Sequence, residues 1–218
     1  MVNKAALQYL ESFMTERRRR LFTEVLAHRT HYYTVVVEDV YQLHNTSAVL
    51  RSCDVFGIQQ LHVIEERNRR KIDREIAMGA QKWISLHRYH QTASCITQLK
   101  ENGYQIVATT PHPPAVSVAE FDFSVPSAFF FGREKQGLSE EVLANADQHL
   151  YIPMYGFTES LNISVSAAIV LQQATTFLKS SNLAWQLSEE EKLKLRWEWA
   201  KKMIKSHEQI LARFEAGE

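Results

Sequence analysis

Apolar and polar positions along this chain follow two alternating rhythms. Short runs rich in β-branched and aromatic residues occur near 33–38, 59–64, 83–89, 104–109, 127–131 and 148–154. Between them, near 45–56, 92–102, 138–146 and 160–180, apolar residues recur at the spacing of a helix. Strand-like runs separated in this way predict an α/β sheet, mostly parallel, with helices on both of its faces. The flanks read differently. Asn3 to His28 is predicted as one amphipathic helix, with Leu7, Leu10, Leu21, Val25 and Leu26 at its apolar positions. Ser188-Glu189-Glu190-Glu191 is a capping-box pattern and opens a last helix running to about Ala216. The expected organisation is a helical extension over 1–29, the sheet domain over 30–181 and a second helical extension over 182–218.

In such a sheet, ligands bind where the C-terminal end of a strand gives way to a helix, whose first N–H groups have no partner of their own. Three stretches put polar residues at junctions of this kind. After the run 33–37 comes His44-Asn45-Thr46-Ser47-Ala48-Val49-Leu50-Arg51, with Asn45 a candidate cap and Arg51 within reach of the same sheet edge. After 127–131 comes the charged turn Gly132-Arg133-Glu134-Lys135-Gln136-Gly137-Leu138. Ser139 is the candidate cap of the helix behind it, and Glu140 and Glu141 suit its first turn. After Gln148 to Met154 comes Tyr155-Gly156-Phe157-Thr158-Glu159, and a helical pattern begins at Ser160. Ser160, Asn162, Ser164 and Ser166 there replace the Ala or Leu of a plain core helix. The seven glycines form no Gly-x-Gly-x-x-Gly, so a Rossmann dinucleotide site is not supported.

Asn45-x-x-Ala48-x-x-Arg51, then Gly132-x-Glu134-x-x-Gly137-Leu138, then Ile152-Pro153-Met154 with Ser160-Leu161-Asn162-Ile163-Ser164, in this order, resembles the SpoU, or TrmH, family of the SPOUT superfamily. Its members are S-adenosylmethionine-dependent RNA ribose 2'-O-methyltransferases. The resemblance runs from about Tyr33 to Ser180. It implies a C-terminal trefoil knot that holds the cofactor, and a homodimer with an active site at the interface. It also implies that Arg51 is the central catalytic residue, that Asn45 and Glu134 orient Arg51 and the ribose, and that Ser160 and Asn162 hold the substrate or the active-site turn. Cofactor contacts map to Thr109, Gly132, Ile152 and Leu161, largely through the backbone. A guanidinium, with a pKa above ~12, is a poor base. Two roles for Arg51 therefore stay open: taking the 2'-hydroxyl proton, or clamping the adjacent phosphate and stabilising the emerging alkoxide. Helical extensions at both ends are similar to the branch of the family that methylates the D-loop guanosine at tRNA position 18. The alternatives are another tRNA or rRNA nucleotide, or a non-catalytic RNA-binding protein on the same fold. Glu159, an acid just before Ser160, is a departure that bears on substrate contact.

Charge distribution adds a partner. The net charge of the 218 residues is zero, with 45% hydrophobic and 23% charged residues, the balance of a globular domain. Residues 1–29 nevertheless carry six basic groups against three acidic ones, and 192–207 carry six against one. The middle, 30–187, holds 12 basic and 15 acidic groups. Basic surface concentrated in both tails is what a grip on tRNA requires, and Arg17, Arg18, Arg19, Arg20, Lys201 and Lys202 are the candidate contacts. Trp197 and Trp199 face different ways on a helix, so at most one of them stacks on RNA. The loop 65–71 is a further charged candidate. No apolar run approaches a membrane span, the N-terminus lacks the apolar stretch of a secretory signal, and a cytoplasmic location is expected. Cys53 and Cys95 form no Cys-x-x-Cys, so reduced thiols and no metal site are expected.

Overall fold

The alternating runs of the middle of the chain become seven strands in the computed structural model, which describes residues 2–40, 43–66, 74–111, 114–133 and 136–217. In chain order the elements are α1 (Lys4–Ser12), α2 (Glu16–Leu26), β1 (Tyr33–Glu38), α3 (Leu43–Phe56), β2 (Gln60–Ile64) and the single-turn α4 (Arg74–Ala77). Then come β3 (Ser85–Tyr89), α5 (Thr92–Glu101), β4 (Gln105–Thr109), β5 (Val116–Ser117), β6 (Ser127–Phe131), α6 (Glu140–Asn145) and β7 (Gln148–Tyr151). The last three are α7 (Ile163–Ser180), α8 (Glu189–Met203) and α9 (His207–Ala216). The chain divides into two units, Thr30–Trp185 and a helical one made of Met1–Arg29 with Gln186–Glu218.

In the first unit the strand order is β3-β2-β1-β6-β4-β7-β5, and each neighbouring pair is parallel. A parallel sheet covered on both faces needs apolar residues on both sides of each strand. Successive residues accordingly enter two separate cores. Val35, Val37, Phe129 and Phe131 pack with Leu50 and Cys53 of α3 and with Ala167, Val170 and Ala174 of α7. Val36, Ile106, Ala128 and Phe130 pack instead with Cys95, Ile96 and Leu99 of α5 and Val142 of α6.

Several boundaries differ from the sequence expectation. β7 stops at Tyr151 rather than Met154, because β4 ends at Thr109, opposite Leu150, and Pro153 has no N–H to add to a ladder. α7 begins at Ile163 rather than Ser160, because the Asn162 side chain caps it by accepting from Ser164 N at 2.8 Å. α3 begins at Leu43, so Asn45 lies in its first turn and is not its cap. Ser139 does cap α6, accepting from Val142 N at 3.3 Å. β5, two residues long, has no periodicity to announce it.

In the helical unit, the single helix expected over Asn3 to His28 is two. Asn3 caps α1, and Thr15 caps α2 by accepting from Arg18 N at 3.3 Å, so the chain turns at Phe13–Thr15. The last helix is also split, with α8 ending at Met203 and α9 starting at His207. The Ser188–Glu191 capping box is present. Buried Glu11 on α1 accepts from Arg196 Nε at 3.0 Å and Nη2 at 2.6 Å, a two-pronged ion pair that fixes α8 against α1. Trp199 is buried, edge-on to Phe22 at 5.4 Å with the Arg29 guanidinium 5.6 Å from its ring. Among the described residues no helix is long and apolar enough to cross a membrane.

Candidate active site

Because the strands are parallel, the C-terminal ends of β4, β6 and β7 lie on one edge, and the segments leaving them surround a cavity of about 380 Å3. That volume lies in the range of about 300–1,000 Å3 usual for small-molecule sites. Thr109 lines it from the end of β4, Gly132 from the turn after β6, Ile152 from beyond β7, and Ser160 and Leu161 from the approach to α7. The four residues expected to touch a cofactor thus share one space. Glu159 lines it too. The Thr109 hydroxyl donates to the Phe130 carbonyl at 2.6 Å, so its proton is already engaged within the sheet.

The turn after β6 forms the tightest wall. Arg133 N donates to Gly137 O at 3.0 Å, and Gly137 N returns a bond to Arg133 O at 2.9 Å. Gly137 sits at φ +71°, where a side chain would be strained. A Cβ on Gly132 would overlap the Gly137 carbonyl carbon and the Leu138 nitrogen, so only glycine allows the two backbone segments this close. Arg133 Nε is buried with no hydrogen-bond partner among the described residues. One orphaned donor, Ser160 and Ser166 and apolar Leu138, Ile152 and Val170 fit a ligand that combines a nucleoside with a polar tail.

Asn45 and Asn162 meet directly. Asn162 Nδ2 donates to Asn45 Oδ1 at 3.1 Å, while Asn162 Oδ1 accepts from Ser164 N and from Ser164 Oγ at 2.6 Å. Asn45 is 2% exposed, so its oxygen is bonded where water is excluded. Arg51 is on the exposed side of α3 and lines a second hollow of about 250 Å3, with Ala48, Ser52, Val55, Phe56, Ile76 and Ser164. This hollow shares no lining residue with the larger cavity. The Arg51 side chain forms no hydrogen bond or ion pair with a described residue, Asp54 included. Glu134, and 67–71 of the charged loop, lie outside the described residues.

One buried carboxylate was not singled out by sequence. Glu38, at the end of β1, is 2% exposed and accepts from Ser139 N (2.8 Å), Ser139 Oγ (2.6 Å) and Thr92 Oγ1 (3.0 Å). A second buried group, His62 on β2, stacks on His87 at 4.8 Å, with its Nδ1 3.1 Å from the Tyr89 hydroxyl. Burial, and secondarily His87, pull its pKa down to about 3, so it is neutral at physiological pH. In the helical unit Arg17, Arg19 and Arg20 are exposed, Arg18 is half-buried, and Arg20 pairs with Glu24 at 3.4 Å. Lys202 is exposed, and Lys201 Nζ lies 5.8 Å from the ring of half-buried Trp197. No group of three or more His, Cys, Asp or Glu among the described residues is arranged to hold a metal.

Residues 32–172 match the SpoU rRNA Methylase family. A Borreliella burgdorferi protein named tRNA (guanosine(18)-2'-O)-methyltransferase is 38% identical over 201 residues, covering 92% of each chain. The solved structure of an Aquifex aeolicus TrmH/SpoU tRNA modifying enzyme superposes with a TM-score of 0.80 at 33% identity, over 87% of this chain and 98% of that one. A Sinorhizobium meliloti rRNA methyltransferase solved with S-adenosylmethionine bound gives 0.61 at 25% identity, over 69% and 58%.

Proposed function

This chain belongs to the SpoU rRNA Methylase family, and from that membership we propose that it methylates a ribose 2'-hydroxyl of tRNA, using S-adenosylmethionine, at the D-loop guanosine of position 18. The observation that carries the reading is the joint one of site and sequence. The segments leaving β4, β6 and β7 close on one cavity, and a relative matched over 92% of both chains carries that activity in its name.

When bound, S-adenosylmethionine supplies a methyl carbon already activated by its sulfonium. The chain must then hold the hydroxyl in line, let its proton leave and accommodate negative charge on the oxygen. Holding the reacting groups in place alone removes several kcal/mol of barrier. Thr109, Gly132, Ile152 and Leu161 hold the cofactor through their backbone. Arg51 grips the phosphate beside the target ribose with its planar fork and stabilises the developing alkoxide. The Asn45–Asn162 pair fixes the start of α7, and with Glu134 and Ser160 orients the ribose.

The cofactor-holding segment is proposed to be threaded as the trefoil knot of the family, an arrangement compatible with β6 lying between β1 and β4. The working form is proposed to be a homodimer. A partner laid on the face bearing Arg51, where Val55 and Val165 are exposed, is proposed to bring its own cofactor cavity to that residue, which lies apart from the cavity of its own chain. Residues 1–29 and 182–218 act as basic extensions that grip the tRNA, and a cytoplasmic location goes with that substrate.

Methylation of total tRNA with labelled cofactor, followed by mapping of the modified nucleotide, tests the reading. Label at guanosine 18 is expected. Label elsewhere in tRNA moves the target, and RNA binding without cofactor uptake makes the chain a non-catalytic binder.

A further inference from the structure

We infer that Glu38 is a positioning residue for cofactor binding, acting through Ser139 on the turn that walls the cavity; this rests on the cavity being the S-adenosylmethionine site. A charged residue that ends a buried strand normally turns to water. Glu38 does not. Both of its oxygens are inside, and each is used: Oε2 takes the Ser139 N–H, while Oε1 takes the Ser139 and Thr92 hydroxyls. Hydrogen bonds to a carboxylate are about twice as strong as neutral ones, and Glu38 makes three of them where a buried polar group needs partners. The Cys95 thiol is pushed up to about 12 mainly by burial, with the Glu38 charge adding to it. The carboxylate thus lies close enough to be felt on α5.

The two arms of Glu38 lead to different places. Thr92 opens α5, far in sequence from the cavity, and its N–H is separately held by Glu66 Oε1 at 2.6 Å. Ser139 follows Leu138, which lines the cavity beside Gly137. Gly137 is bonded in both directions to Arg133, and its backbone lies against Gly132. Fixing Ser139 to the end of β1 therefore fixes the C-terminal side of the turn at the distance where Gly132 and Gly137 touch. Release of Ser139 lets that wall move away from the cavity, while the sheet below it stays intact.

The test compares variants of the full chain by calorimetric titration with S-adenosylmethionine and by amide hydrogen exchange at Gly137 to Ser139. Glu38→Ala is expected to weaken cofactor binding about tenfold, the scale of one missing charge-assisted bond, and to speed exchange at those amides. With saturating cofactor, kcat on tRNA is expected to stay within about threefold, so that the loss appears in KM. Glu38→Gln keeps an oxygen for the Ser139 N–H and is expected to recover most of the affinity. Thr92→Val removes only the other arm and is expected to bind as wild type, even where it melts earlier. Should Glu38→Ala not fold, Glu38→Asp draws the carboxylate back by one methylene and is expected to lose about threefold. Wild-type affinity in a folded Glu38→Ala or Glu38→Asp overturns the inference, as does an equal loss in Thr92→Val. A wild-type protein that takes up no S-adenosylmethionine defeats the cofactor reading instead, a different result.

Discussion

Asn162 and Asn45, 117 positions apart, are joined by a 3.1 Å hydrogen bond from the amide of the first to the amide oxygen of the second. The same Asn162 side chain caps α7 through its oxygen, so one residue sets where α7 starts and where it meets the first turn of α3. Asn162→Ala removes a cap, worth about 1 kcal/mol, and a hydrogen bond to a buried oxygen, worth about as much again. A total loss of about 2 kcal/mol in urea unfolding is expected. A double-mutant cycle with Asn45→Ala should show a coupling of at least about 0.5 kcal/mol. Strictly additive losses would mean that the two residues act separately.

Arg51 stands apart from the cavity at the ends of β4, β6 and β7, and this separation makes its role testable. Arg51→Ala is expected to abolish methyl transfer while S-adenosylmethionine titrates as before, because the lining of the cavity does not include it. Arg51→Lys is expected to be poor as well, since an ammonium cannot form the planar fork. A rate above about a tenth of wild type, a loss under ~1.4 kcal/mol, would remove Arg51 from the centre of the reaction.

That Gly132, Gly137, Ile152, Ser160 and Leu161 share one place was legible because parallel strands deliver their C-terminal ends to one edge. Spacing along the chain therefore translated into residues around one cavity. The turn at Phe13–Thr15 was not legible, because the apolar spacing of Leu7, Leu10 and Leu21 runs on across it and Thr15 reads as one more polar position. Asn45 looked like a cap since its side chain suits that place, but the amide is used across the fold instead. Glu38 was silent for a similar reason. Its partners Thr92 and Ser139 lie 54 and 101 residues away, and nothing near it in the chain announces them.

Gly132 offers a test of the cavity wall with no charge involved. The Cβ of Gly132→Ala would meet backbone rather than a movable side chain, so the turn itself has to shift. Loss of cofactor affinity by about tenfold or more is expected from such overpacking. Unchanged binding would show that the turn yields freely and does not shape the site.

His62 ties stability to pH. Folded, it takes a proton only near pH 3; unfolded, its pKa returns to about 6.5. Between these values the unfolded chain binds a proton that the native one refuses, so stability falls as pH drops below the unfolded pKa, down to the folded one. Between pH 7 and pH 5 this group contributes a loss of about 2 kcal/mol. The urea midpoint of the wild type is expected to fall accordingly, and that of His62→Gln to fall less. Equal falls in both would place the acid sensitivity elsewhere.

The basic helices make the last claim. If α2 grips tRNA through phosphates, each neutralised phosphate releases counterions and binding weakens steeply with salt. Arg17, Arg18, Arg19 and Arg20 occupy four consecutive positions of a helix, so they cannot all face one strand. Arg20 is also partly engaged by Glu24 at 3.4 Å. Replacing all four by Ala is expected to raise the dissociation constant for tRNA and to flatten the log–log salt slope by roughly one unit for each phosphate that is no longer neutralised. A decrease of about two to three units, rather than four, fits the geometry. S-adenosylmethionine affinity is expected to hold, since no residue of α2 lines the cavity. Trp197, with Lys201 over its ring, is the aromatic left for stacking, because Trp199 is consumed by the packing of Phe22 and Arg29. Unchanged affinity and slope in the four-Ala variant would make α2 purely structural and move the grip on RNA to the C-terminal helices or to the charged loop 67–71.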